Sequence, residues 1–369
     1  MKKPLPIKKP RGGDYCILIA LSLLIAAGLT FIYSASSYVA EKDYSDSFYF
    51  VKKQLIGYLL GGAAFVFFAF FNYKKLKKFS LAALMVSLVL LALVLTPLGK
   101  EVYGAKRWLG VGGFTIQPSE ITKACYIVFC AAYFSSRGGV SGFKSALPVL
   151  FFGGIICLLI ILEPNMSVTV CVGLLMLSML FFAGLPVKYF VGIIVPLALA
   201  VPLLIVIEPY RLKRLYAFID PWSSPKGEGY QLIQSLYAFG SGGLFGCGLF
   251  KSRQKLKFLP FSESDFILSV ISEECGFFGV IALFLLFGFL IWRIIKTALK
   301  QEDFFGYFLC LGIAATFIIQ IAVNALVVTG SIPPTGLPLP LISSGNTQII
   351  TFMSELGIVF NVSKNGKEK

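Results

Sequence analysis

The chain has 369 residues, is 57% hydrophobic and 14% charged, and has a mean hydropathy of +0.83, which excludes an ordinary soluble domain and puts it in a bilayer. Its net charge of +15 does not point to nucleic acid, because most of the excess falls in short segments between apolar runs, as membrane orientation requires. Histidine is absent, which excludes an imidazole base, a His metal ligand and Ser/His or Cys/His nucleophile pairs, and leaves mainly carboxylates, Lys, Tyr and Cys for acid–base work.

In chain order, a basic stretch K-K-P-L-P-I-K-K-P-R-G-G-D precedes an apolar run from Tyr15 to Ser34. That run is about long enough to span a bilayer and no small-residue cleavage site follows it, so it reads as a retained first span behind a cytoplasmic tail, residues 1–14. Further apolar runs at 54–73, 79–97, 118–136, 146–163, 167–185, 189–207, 266–294, 304–329 and 343–362 bring the candidate helices to about ten. The expected fold is therefore all-α: a polytopic transmembrane domain over 15–362 and a second cytoplasmic tail at 363–369. With both termini inside, Lys74, Lys75, Lys77, Lys78, Arg137, Lys144, Lys188, Arg293, Lys296 and Lys300 share the cytoplasmic side. The eight cysteines lie mostly in apolar runs without C-x-x-C pairs and read as small buried hydrophobes.

Four polar segments fall on the opposite face. Between the third and fourth spans, Lys106, Arg107 and Trp108 could meet phosphate and acyl chain together, although Trp108 also suits a plain interfacial anchor. Pro118 and Ser119 read as a helix start, with Glu120 and Lys123 three apart on one helical face; a structural ion pair and a substrate role both fit. Glu163-Pro164-Asn165 is a further polar point between the fifth and sixth spans.

Residues 209–264 form the long outer loop, with Arg211, Lys213, Arg214, Lys226, Lys251, Arg253, Lys255 and Lys257 breaching the orientation rule. Solvation or lipid headgroups would account for them; recognition of an anionic ligand would too, and the G-S-G-G-L-F-G-C-G run at 240–248, whose amides could approach a phosphate, favours it. The loop ends in Glu263 and Asp265, with Glu273 and Glu274 further along the next helix. Four prolines and three glycines make Thr329–Gln348 a broken or re-entrant connection.

The motifs G-A-K-R-W-L (104–109), Q-P-S-E-I-T-K (117–123), D-P-W (220–222), G-Y-Q-L-I-Q-S-L (229–236), G-S-G-G-L-F-G-C-G-L (240–249), S-R-Q-K-L-K-F-L-P (252–260), D-F-I-L-S-V-I-S-E-E-C-G (265–276) and T-G-L-P-L-P-L-I-S-S-G (335–345) occur in this order on a ten-span chain. The chain thereby resembles the SEDS family of FtsW, RodA and SpoVE, the glycan polymerases of the bacterial cell wall. It departs from the family pattern at Asn165 and Ser167, where Asp and Gly are usual, at Glu263-Ser264-Asp265, and in S-S-G-N-T-Q.

The resemblance implies an inverting peptidoglycan glycosyltransferase in the bacterial plasma membrane. It would polymerise lipid II on the outer face for division, elongation or sporulation, beside a class B penicillin-binding protein transpeptidase. Asp265 matches the family's catalytic carboxylate and is expected to be the base that activates the acceptor sugar 4-hydroxyl. Expected substrate-binding residues are Lys106, Arg107, Trp108, Glu120, Lys123, Arg211, Arg214, Gln231, Gln234, Ser235, Lys251, Arg253, Gln254, Lys255 and Ser343, with cations stabilising the leaving pyrophosphate. A divalent cation, Mg or Mn, is compatible with that chemistry, but Asp265 with Glu263 is a thin ligand set and no dedicated metal cage is visible. Two other readings remain: a lipid II flippase, which would need polar residues through the whole depth, and a non-catalytic scaffold recruiting a transpeptidase.

Overall fold

The structure is a computed structural model that describes residues 12–102, 105–111, 114–207 and 209–365. Residues 1–11 and 366–369, which make up most of the two expected tails, and the side chain of Arg211 lie outside the described residues.

Among the described residues ten long helices follow the apolar runs: α1 (Tyr15–Tyr44), α2 (Tyr49–Phe70), α3 (Lys74–Val94), α4 (Pro118–Arg137), α5 (Phe143–Leu162), α6 (Met166–Phe182), α7 (Val187–Ile207), α10 (Ile267–Leu299), α11 (Phe304–Val328) and α12 (Asn346–Ser363). Of these α1, α2, α3, α5, α10 and α11 are long and apolar enough to cross a membrane. α11 is the central one. Its most apolar stretch is 72% buried, against 28–33% for the other five, whose sides are left for lipid.

Local chemistry explains the helix ends. Asp14 caps α1 by accepting from the amide of Cys16 at 3.1 Å. α4 starts at Pro118, where a missing N–H costs nothing, and stops at Gly138 in the left-handed region. The C-terminal carbonyls of α2 are met by the Asn361 amide, which donates to Phe68, Ala69 and Phe71, and by Lys364, which donates to Ala69. Asp14 also accepts from Arg293 Nε at 2.8 Å, and its amide donates to Ser363 Oγ at 2.9 Å. The start of α1 therefore meets the ends of α10 and α12.

Three features go beyond the expected layout of about ten helices and their loops. A small antiparallel sheet, β1 (Gly99–Val102), β2 (Ala105–Val111) and β3 (Phe114–Ile116), precedes α4. Glu101 pairs with Lys106 and Lys100 with Trp108 across it, a cross-strand pattern that helical spacing does not reveal. Inside the expected loop 209–264 lie α8 (Pro209–Ile219), a single 3-10 turn at Pro221–Ser223 and α9 (Tyr230–Gly242). Finally, α12 starts at Asn346 rather than at 343, so residues 331–345 run without helix as the prolines require.

Candidate active site

Asp265 lies in the turn before α10 and is half-buried. Its carboxylate abuts Gly336 of the broken segment, where an added Cβ would sit 3.1 Å from Oδ2. Burial, reinforced by the charge of Glu263, pushes the Asp265 carboxyl up to about 7, while Arg214, Arg107 and the Ser264 hydroxyl oppose the rise. Two guanidiniums from distant elements thus act on one carboxylate: Arg107 from β2 and Arg214 from α8. Arg107 donates to the carbonyls of Glu163 and Pro164 just past the end of α5, and Arg214 to Pro334 at 3.3 Å. Glu163, fully buried, is itself raised to about 8 by burial, with Arg107 opposing.

The main chain around Asp265 is held with equal care. Three successive carbonyls each accept from another element: Glu263 from the amide of Ser344 at 2.9 Å, Ser264 from Ser343 Oγ at 2.6 Å, and Asp265 from Asn324 Nδ2 at 2.8 Å. Asn324 was not among the expected site residues, although a lone Asn near the end of an apolar helix is the signal that marks it.

Several expected substrate contacts are spent inside the protein. Lys123 and Glu120 form a buried ion pair at 2.9 Å, and Lys123 also donates to Gln320 at 3.0 Å. Ser235 is buried against Ser269 and the Val328 carbonyl. Ser343, also buried, receives the Leu339 amide at 2.8 Å besides donating to Ser264. Lys255 is buried against Glu274 at 3.0 Å and Ser34 at 3.1 Å. All five are paired internally, where their polar atoms would otherwise stand unsatisfied in a low dielectric.

The glycine-rich run packs against α10. Cys247 and Gly248 donate to the carbonyls of Glu273 and Glu274, and Phe277 and Phe278 donate back to Gly243 and Leu244. This stitching sits on a break in α10 at Gly276 (φ 68°, ψ −167°), and a Cβ at Gly242, Gly246 or Gly276 would strike the facing backbone. Glu273 takes the next turn of the loop, accepting from Ser252 Oγ and from the amides of Arg253 (3.1 Å) and Gln254 (3.3 Å). The two glutamates are therefore the anchors of the basic segment.

Lys106, Lys251 and Arg253 remain exposed, and Trp108, Gln231, Gln234 and Gln254 half-buried. Gln231 donates to the Pro260 carbonyl at 3.1 Å. Among the departures from the family pattern, Asn165 still serves its helix, capping α6 through the amide of Val168 at 3.3 Å. Thr347 accepts from the amide of Gln117 at 3.1 Å, and Gln348 donates to Pro338 at 3.1 Å. Among the described residues no three His, Cys, Asp or Glu side chains converge as metal ligands. Asp265 with Glu263 is too thin a ligand set for a resident ion.

The chain is 40% identical over 353 residues to a probable peptidoglycan glycosyltransferase FtsW of Trichlorobacter lovleyi, covering 95% of this chain and 93% of the relative. It is 39% identical over 364 residues to stage V sporulation protein E of Bacillus subtilis, covering 96% and 98%. In fold it is similar to a chain of a solved peptidoglycan synthase complex that coordinates polymerization and crosslinking, with TM-score 0.79, 28% identity and coverage of 95% and 97%. The rod shape determining protein RodA of Thermus thermophilus has the same fold, with TM-score 0.69, 24% identity and coverage of 97% and 98%. The cell cycle protein family of FtsW, RodA and SpoVE matches residues 14–368, and the chain belongs to that family.

Proposed function

We propose that this chain is a peptidoglycan glycosyltransferase that polymerises lipid II on the outer face of the bacterial plasma membrane. The observation that carries this reading is the half-buried Asp265 carboxyl, raised to about 7 and approached by Arg107 and Arg214. A carboxyl so tuned is half-ionised near neutrality, where a base is most effective. The names of the FtsW and sporulation relatives support the same activity.

In the step itself, Asp265 takes the proton of the acceptor sugar 4-hydroxyl as its oxygen attacks the anomeric carbon of the donor sugar. The bond from that carbon to the pyrophosphate oxygen breaks, and undecaprenyl pyrophosphate leaves with the electron pair. Direct displacement inverts the anomeric centre. Arg107 and Arg214 stabilise the charge on the departing pyrophosphate, a poor candidate for protonation but a good one for guanidinium. Lys251 and Arg253, exposed on the segment anchored by Glu273, serve the approach of the anionic lipid. Lys106 and Trp108, on the sheet, serve the boundary between phosphate and acyl chain.

Both termini are assigned to the cytoplasm, with 209–264 on the outer side, from the distribution of Lys and Arg. A class B penicillin-binding protein is the proposed partner, in keeping with the crosslinking synthase complex of the structural neighbour. The test is the purified chain, with and without its transpeptidase, given labelled lipid II in detergent. Glycan from the wild type and none from Asp265→Asn is expected; polymer formed without a second compartment removes the need for transport. Absence of polymer from the folded partner complex would overturn the reading in favour of a scaffold.

A further inference from the structure

The broken segment before α12 creates a problem that α11 solves. Pro338 and Pro340 cannot donate, and the carbonyls of buried Leu337 and half-buried Pro338 lie where irregular backbone must be satisfied by protein. Gln320 and Asn324, four apart and so on one face of α11, supply two successive amides. Gln320 Nε2 donates to Pro338 at 3.0 Å, and Asn324 Nδ2 donates to Leu337 at 2.7 Å. The second amide hydrogen of Asn324 goes elsewhere, to the carbonyl of Asp265 at 2.8 Å. Asn324 itself is 1% exposed.

The carbonyl on the other side of the Asp265 Cα, that of Ser264, is held by Ser343 Oγ at 2.6 Å, and Ser343 is 0% exposed. The peptide plane before the Asp265 Cα and the plane after it are thus each fixed by a buried side chain. A side chain whose two flanking planes are fixed has its Cα–Cβ direction fixed as well, whatever its own rotamer does.

We propose that Asn324 and Ser343 are the positioning residues of the reaction: together they aim the Asp265 carboxylate at the acceptor hydroxyl and hold it against the broken segment. Neither touches substrate. Asn324 is suited because it gives two hydrogens from one short side chain; Asp gives none when ionised, and Leu none at all. Gln320 extends the same ladder to Lys123 and Glu120, so the intramembrane ion pair supports this arrangement from below. Misplacement of a catalytic group by a fraction of an ångström leaves substrate affinity intact and lowers turnover.

The inference rests on Asp265 being the base, and the test separates the two. Polymerisation of lipid II is measured across pH with the full-length protein and its transpeptidase, per folded molecule, for Asn324→Ala, Ser343→Ala, Ser343→Thr and Asp265→Asn. Expected are a fall in kcat of about ten- to a hundredfold for the two alanine variants, an unchanged KM for lipid II, a displaced acidic limb of the kcat profile, and recovery in Ser343→Thr. Wild-type kcat and pH profile in Ser343→Ala and in any folded Asn324→Ala protein would overturn the proposal, as would a loss confined to the unfolded fraction. If Asn324→Ala does not fold, Ser343→Ala and its Thr rescue decide. An active Asp265→Asn would instead overturn the base assignment; its inactivity beside unaffected alanine variants would sink the positioning role alone.

Discussion

Lys255 Nζ lies 3.0 Å from Glu274 Oε1, with the two side chains 8% and 0% exposed, so a lysine from the basic segment is spent inside the bundle. Removing one partner of such a pair strands a buried charge, which costs about 3–5 kcal/mol. Lys255→Met should therefore lower stability by that amount, while the double variant Lys255→Met/Glu274→Gln should recover most of it. Thermal unfolding in detergent reads both. Equal losses in the single and double variants would refute the internal pairing.

The exposed cations of the same segment should behave in the opposite way. Lys251→Ala and Arg253→Ala remove no buried bond and should leave the melting temperature unchanged. If they meet the anionic lipid, each should raise KM for lipid II by about tenfold, the worth of one charge-assisted hydrogen bond, and weaken the dependence of KM on salt. A titration of polymerisation rate against lipid II at two ionic strengths measures both.

The opposite fates of these neighbouring cations show what the sequence could convey. Apolar runs mark ten helices because each carries its own signal, and Pro118 and Gly138 mark helix ends because their backbone constraints are local. The match to a known motif marks Asp265. Nothing within five residues of Lys255 tells that Glu274 and Ser34 will meet it, since Ser34 is 221 positions away. The glycine run misleads for a related reason: small residues permit any close approach, and here the approaching group is the backbone of α10 rather than a phosphate. The strands before α4 are too short for periodicity to separate them from a loop.

The acidity of Asp265 predicts a pH dependence with two signs. As a base it works ionised, so kcat should rise with pH through a midpoint near 7. Stability should move the other way. The folded pKa lies above the ordinary 3.8, so the folded state favours the protonated form; that contribution is complete below about pH 4 and is lost as pH rises through about 7. Asp265→Asn, which does not ionise, should be inactive throughout and should melt above the wild type at pH 8 but not at pH 4. A wild type whose melting is no less favourable at pH 8 relative to this variant would remove the physical basis for a raised carboxyl.

The close stitching of the glycine run to α10 makes the glycines there unequal. An alanine at Gly246 would need φ near 80° and would push its methyl into the Glu274 carbonyl, while one at Gly240 meets nothing within 4 Å. Gly246→Ala should cost roughly 1–3 kcal/mol from backbone strain alone, more with the clash, and should loosen the basic segment that follows. Gly240→Ala should be neutral or slightly stabilising, because it lies within α9 where alanine is the better helix former. Thermal unfolding compares the two. Limited proteolysis between 248 and 257 should be faster in Gly246→Ala only.

Glu355 on α12 is a second buried carboxyl beside the Lys123–Glu120 pair. It is 2% exposed and neither carboxylate oxygen has a hydrogen-bond partner among the described residues, although Lys123, already paired with Glu120, lies within electrostatic reach. One ammonium does not serve two buried carboxyls, so the unpartnered one is held at a cost. Glu355→Gln keeps the shape and removes the ionisable group; it should leave stability unchanged or raise it by about 1–3 kcal/mol. Lys123→Met leaves Glu120 without its counterion and should be destabilised by more than ~3 kcal/mol, the larger share of which Glu120→Gln should restore. If Glu355→Gln is instead as damaging as Lys123→Met, Glu355 is a necessary counterion of Lys123, and Glu120 alone does not neutralise it.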